Sequence, residues 1–311
     1  MIVLLWYETC IGVSMGRTIA VANQKGGVGK TTTAINLSAC LAEKGMKVLT
    51  IDIDPQGNTT SGLGLNKSEL EDTVYQLVLG ECSIRDCMVK SVVENLYVLP
   101  SNVNLAGAEI ELIGVEDREF ILKKSVEQIK EEFDFIIIDC PPSLNTLTVN
   151  AMTTADSVLV PIQCEFYALE GLSQLIHTIN LVKQRLNPSL EIEGVVFTMF
   201  DARTNLSLEV VENVRGNLDQ KIYNSIIPRN VRLAESPSHG LPINMYDSKS
   251  AGAEAYRDLA DEVINLNKKG TKKVSKEKKD TKSESTKKLN TKKETIKEKA
   301  AKMSLFKRKN K

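Results

Sequence analysis

Two lysines, Lys25 and Lys30, bracket a run of glycines in the stretch VANQKGGVGKTTTAINL, residues 21–37. The run ends as a phosphate-binding loop does, with Gly29-Lys30-Thr31. The strict pattern G-x-x-x-x-G-K-[ST] requires glycine at position 24, where Gln24 stands. Backbone N–H groups from Gly26 through Gly27, Val28 and Gly29 to Thr31 can wrap β- and γ-phosphates at a helix N-terminus. Lys30 neutralises phosphate charge there, and the Thr31 hydroxyl ligates Mg²⁺. Carboxylates follow two apolar runs: Asp52 and Asp54 in LTIDIDPQGN, and Asp139 in FIIIDCPP. Asp139 is suited to hold Mg²⁺ through a water. One of Asp52 and Asp54 can orient an attacking water, because phosphoryl transfer needs mainly positioning and charge stabilisation. A loop of this type accounts for one lysine and leaves Lys25 over.

Short β-rich runs alternating with helical patterns must position these groups. Strands are expected over Arg17–Ala22, Lys47–Ile53, Leu96–Leu99, Phe133–Ile138, Ser157–Ile162 and Ile192–Met199. Helices are expected over Thr31–Glu43, ended by Gly45, and over Phe120–Glu132, Leu169–Leu186, Asn205–Leu218 and Ser250–Leu266. FDFIII is apolar throughout, as a strand buried on both faces must be. The alternation implies an α/β fold, a mostly parallel sheet covered by helices on both faces, with the ligand at the carboxyl ends of the strands.

The chain has 311 residues, 42% of them hydrophobic and 26% charged, as in ordinary globular proteins. Its zero net charge hides a division. From Asn267 to Lys311 there are 19 Lys/Arg and 5 Asp/Glu, a net of +14, which leaves −14 on residues 1–266. Three segments follow: an N-terminal extension over 1–14, or an upstream start ahead of Met15; a body over 15–266; and a Lys-rich tail over 267–311. The tail's composition cannot bury enough apolar surface to order itself. It suits either a solubilising extension or an auxiliary nucleic-acid arm. Met303, Leu305 and Phe306 make only a thin apolar face, which argues against membrane anchoring. Six scattered cysteines without a CxxC pair predict reduced thiols in a cytosolic protein. No apolar run approaches the ~18 residues of a spanning helix.

KGGVGKTT, DIDPQGNTTSGLG, IIIDCPP, DARTN and IPRNVRLAESPSHG, in this order, resemble the ParA/Soj partition ATPases, a deviant Walker A group of P-loop ATPases. The resemblance runs from about Met15 to Leu266. It implies that Lys25 is the signature lysine, reaching across an ATP-dependent homodimer to phosphates bound by the other subunit. It implies nucleotide contacts from Lys25 through Gly26, Gly27, Val28, Gly29, Lys30, Thr31 and Thr32, with Pro228 and Asn230 at the adenine ring. Lys25, Lys30 and Asp54 would serve hydrolysis, Asp54 as the switch aspartate, and Thr31 and Asp139 would hold Mg²⁺. Arg203 and Arg232 match arginines with which such dimers grip DNA without sequence preference. The implied partner is a ParB-type centromere-binding protein, and the implied place is the cytoplasm, on the nucleoid. MinD-type membrane-associated positioning ATPases share the two-lysine loop and are the alternative, but the DPQGN run departs from them. A nitrogenase-type reductase fits poorly, since no cysteine pair is placed to hold a cluster.

Overall fold

The computed structural model describes residues 16–165 and 168–268. The expectations for residues 1–14 and for the tail beyond 268 lie outside the described residues. The chain divides into two compact units, Met1–Val263 and Ile264–Lys311. Of the second, the described part is the last turn of a helix over 251–268.

Eight strands form one sheet: β1 (Arg17–Val21), β2 (Val48–Asp52), β3 (Val89–Lys90), β4 (Leu96–Leu99), β5 (Phe135–Asp139), β6 (Ser157–Gln163), β7 (Glu191–Phe200) and β8 (Ile222–Pro228). Their order is β3-β4-β2-β5-β1-β6-β7-β8. All neighbours are parallel except β3 and β4, which are antiparallel. Every residue of β2 and β5 is buried. Successive side chains in a strand point to opposite faces, so both faces of the sheet are covered.

Helices α1 (Lys30–Glu43) and α2 (Asn58–Gly62) follow β1 and β2; α3 (Val74–Leu79) and α4 (Ile84–Cys87) precede β3. Between β4 and β5 come α5 (Leu105–Glu111) and α6 (Ile121–Val126). Then α7 (Thr146–Thr154), α8 (Ala168–Arg185) and α9 (Asn205–Asn217) connect β5 to β8. After β8 lie α10 (Val231–Glu235), α11 (Ile243–Tyr246) and the helix over 251–268, here α12.

The long expected elements are present, with two differences of substance. The helix expected over Phe120–Glu132 stops at Val126, where i→i+3 bonds such as Ile129 N–H to Val126 O replace the helical pattern. The expectation of reduced thiols fails for one pair. Cys82 and Cys87 are joined in a disulfide, because the short Ser83-capped turn of α4 brings their Cα atoms to 6.8 Å. Cys40, Cys140 and Cys164 are free and buried.

Candidate functional site

β1 lies in the middle of the sheet between β5 and β6, so its carboxyl end opens between the loops that follow both. The chain turns there through Gly27 (φ +76°) and Gly29 (φ +86°), left-handed conformations open to glycine at little cost. Gly29 is the N-cap of α1, so the loop's N–H groups gather at the helix's positive end. Gln24 stands outside the left-handed region, which is why glycine is not needed at that position. The Asn23 carboxamide braces the loop, donating to Pro161 O at 2.8 Å and accepting from Lys25 N–H at 3.0 Å. From the far side the Thr198 hydroxyl donates to Val28 O at 2.8 Å.

The two lysines do different things. Lys30 is buried, and its ammonium donates to Lys25 O at 3.1 Å, across the mouth of the loop. Burial lowers its pKa, against the opposing pull of Asp139. Lys25 turns outward: its ammonium pairs with Glu165 at 2.6 Å, and both side chains are nearly half exposed.

Asp52 and Asp139 end adjacent strands in register and are fully buried. Burial pushes both carboxyls upward; for Asp139 the neighbouring Asp52 adds to it, and for Asp52 bonds from Thr60 oppose it. Asp139 Oδ2 accepts from the Thr31 hydroxyl at 2.8 Å and the Thr59 hydroxyl at 2.7 Å. Its Oδ1 is buried with no hydrogen-bond partner. A lone acceptor beside a threonine hydroxyl fits a hydrated Mg²⁺, which keeps most of its waters and takes one or two carboxylates. Among the described residues no group of three or more His, Cys, Asp and Glu side chains forms a metal cage by itself.

Asp52 is spent on structure: it accepts from Thr60 N–H, the Thr60 hydroxyl and Asp54 N–H. Of the two carboxylates left open by the sequence, Asp54 has the freer side chain, accepting Gln56 N–H at 2.9 Å beside the site.

A cavity of about 220 Å³ adjoins the loop, lined by Gly29 and Thr32 on one side and Pro228, Asn230 and Tyr256 on the other. Met199, at φ +51°, forms part of its wall. Positive φ is uncommon for a long side chain and is held here by the surrounding strands. Arg203 and Arg232 lie outside the cavity. Arg203 pairs with Asp201, and Arg232 with Glu235 and Asp247. Asn23, Thr59, Thr198 and Tyr256 were not singled out by the sequence; only Asn23 and Thr59 carry a local signal, since they fall inside the motifs.

A family described as AAA domain matches residues 16–192. Sporulation initiation inhibitor protein Soj of Bacillus subtilis is 57% identical over 249 residues, 80% of this chain and 98% of its own length. The chain belongs to the ParA/Soj family of chromosome-partitioning ATPases. Another relative of this ParA/Soj chain, the chromosome-partitioning ATPase Soj of Treponema pallidum, is 50% identical over 250 residues, covering 80% of this chain and 98% of its own. A solved structure named cobyrinic acid a,c-diamide synthase, from Mycobacterium smegmatis, holds an ATP analogue and magnesium. It is 39% identical, covers 82% of this chain and 97% of that one, and superposes with a TM-score of 0.73. The ParA/Soj chain is an ATPase, with ATP and Mg²⁺ as its cofactors. No helix among its described residues is long and apolar enough to cross a membrane.

Proposed function

We propose that this ATPase closes into a homodimer on ATP, binds DNA nonspecifically in that state, and is released when a ParB-type protein stimulates hydrolysis. In this role it partitions chromosomal or plasmid DNA from the cytoplasm, on the nucleoid. The observation that carries the reading is the division of labour between the lysines. Lys30 is buried at its own loop, whereas the Lys25 ammonium faces outward on an exposed ion pair. A half-exposed pair of this kind is weak, so the ammonium is available to a second triphosphate.

Within one protomer, the backbone of Gly26–Thr32 and Lys30 would cradle the phosphates, and Pro228 and Asn230 would flank the base. Thr31 and Asp139 would hold Mg²⁺, which supplies charge neutralisation at the β- and γ-phosphates. Asp54 would orient the attacking water, and Lys25 would complete the partner's site. Arg203 and Arg232 would meet the DNA backbone. The deciding measurement is ATP turnover with DNA alone, with ParB-type protein alone, and with both. Turnover unaffected by either ligand would overturn the partition reading, leaving an ATPase of another role.

A further inference from the structure

Both arginines proposed for DNA are already neutralised within the chain. Arg203 is held in a fork: its Nε and Nη2 donate to the two Asp201 oxygens at 2.8 and 2.7 Å, and its backbone N–H donates to Oδ1 at 3.1 Å. The partners are unequally placed. The Arg203 side chain is 85% exposed, while that of Asp201 is 18% exposed.

Asp201 is anchored by the turn that starts α9. Its carbonyl accepts from Thr204 N–H at 3.1 Å and the Thr204 hydroxyl at 3.0 Å, and its N–H donates to Ser207 Oγ at 3.4 Å. The Thr204 hydroxyl in turn caps α9. A second cation faces the same carboxylate. Arg229, exposed in the cavity wall, donates its backbone N–H to Phe200 O at 2.9 Å, next to Asp201, and adds to the pull that lowers the Asp201 pKa.

We propose that Asp201 is a built-in competitor of the DNA phosphates, an acidic clamp that keeps Arg203 off DNA until a polyanion displaces it. A forked Arg–carboxylate pair is neutral and geometrically matched, as an Arg–phosphate pair is. While the fork is closed, Arg203 releases no counterion from DNA and adds nothing to affinity. To bind, the guanidinium must leave a carboxylate that cannot follow it, and that carboxylate then repels the incoming phosphate. Counting the charges, Arg203, Arg229 and Arg232 face Asp201, Glu235 and Asp247, three positive against three negative. A single protomer therefore presents little net attraction, and binding waits on a state that brings several arginines to one DNA segment. The clamp raises that threshold without touching the nucleotide loop.

This inference rests on the DNA-binding role of Arg203, and the experiment separates the two. DNA affinity and its salt dependence are measured for the full chain with a slowly hydrolysed ATP analogue. The variants are Asp201→Asn, Arg203→Glu and the double substitution. Asparagine keeps an acceptor for the backbone and loses the charge. Since exposed pairs are weak, Asp201→Asn is expected to tighten binding by roughly two- to fivefold and to steepen the log–log salt slope by up to ~0.9. In the Arg203→Glu background the same change should give no gain, because there is no fork to open. If Arg203→Glu weakens binding while Asp201→Asn leaves it unchanged or weakens it, the clamp is wrong and Asp201 merely positions the arginine. An equal gain in both backgrounds also overturns it, as general charge repulsion. If Arg203→Glu has no effect, the DNA role of Arg203 itself fails.

Discussion

Thr59 carries more of the site than its small side chain suggests. Its hydroxyl is one of two that donate to the buried Asp139 carboxylate, the other being Thr31. A buried carboxylate deprived of a donor bears the desolvation of that oxygen, about 1.5–3 kcal/mol for a bond to a charged group. Thr59→Val should therefore lower thermal stability by that order in nucleotide-free protein, read by calorimetry. It should also weaken Mg²⁺-dependent ATP binding, because the Asp139 oxygens would lose their fixed orientation. Lys30 and Lys25 should part company when substituted. Lys30→Ala should abolish productive ATP binding, since the loop loses its own cation. Lys25→Ala should bind ATP and stay monomeric in sedimentation with an ATP analogue; normal dimers from that variant would sink the role proposed for Lys25 across the interface. Asp54→Ala should bind ATP and dimerise without turning over, and full turnover would move the water-orienting role elsewhere.

Among the elements, the turns are where small changes have large effects. Gly57, the N-cap of α2, sits at φ +61°, and a Cβ there would lie 2.7 Å from Ser101 O. Left-handed backbone alone costs a substituted residue about 1–2 kcal/mol, and the carbonyl cannot yield easily. Gly57→Ala should lower the melting temperature and shift α2, with it Thr59 and Thr60, so that ATP binding falls too. A variant with unchanged melting and unchanged ATP affinity would refute this reading.

The same contrast explains what could be read in advance. Runs such as FDFIII name a buried central strand by composition alone, and KGGVGKT fixes loop and helix together. β3, with two residues, and β8, whose IYNSIIP mixes polar and apolar positions, have no such signature. Both are edge strands, whose pairing is decided by tertiary contact. The cavity wall was half legible: Pro228 and Asn230 fall in a motif. Thr198 and Tyr256 reach the cavity only because β7 and α12 pack where they do. The Cys82–Cys87 pair was missed because proximity came from a four-residue helix that spacing does not reveal.

At the scale of the whole molecule the charges are segregated, +14 on the segment from Asn267 and −14 on the rest. A net negative body opposes its own approach to DNA at long range, increasingly at low salt. If the basic tail neutralises phosphates, replacing Lys307, Lys309 and Lys311 by Gln in the full chain should flatten the salt slope by up to ~0.9 for each phosphate left unneutralised. An unchanged slope would assign DNA binding to the body alone. Binding to anionic vesicles that vanishes when Leu305 and Phe306 become Glu would instead favour the membrane alternative.

The central position of β1 also has a consequence in time. The phosphate loop emerges from the ribosome first, but β5, which carries Asp139, completes the β2 side of the sheet much later, and Tyr256 later still. At 5–20 residues per second, the interval between Lys30 and Tyr256 is roughly 10–45 s. Throughout it the nascent chain carries a glycine loop without the aspartate or the cavity wall. Products of translation that end before Tyr256 are thus born without the complete cavity beside the loop.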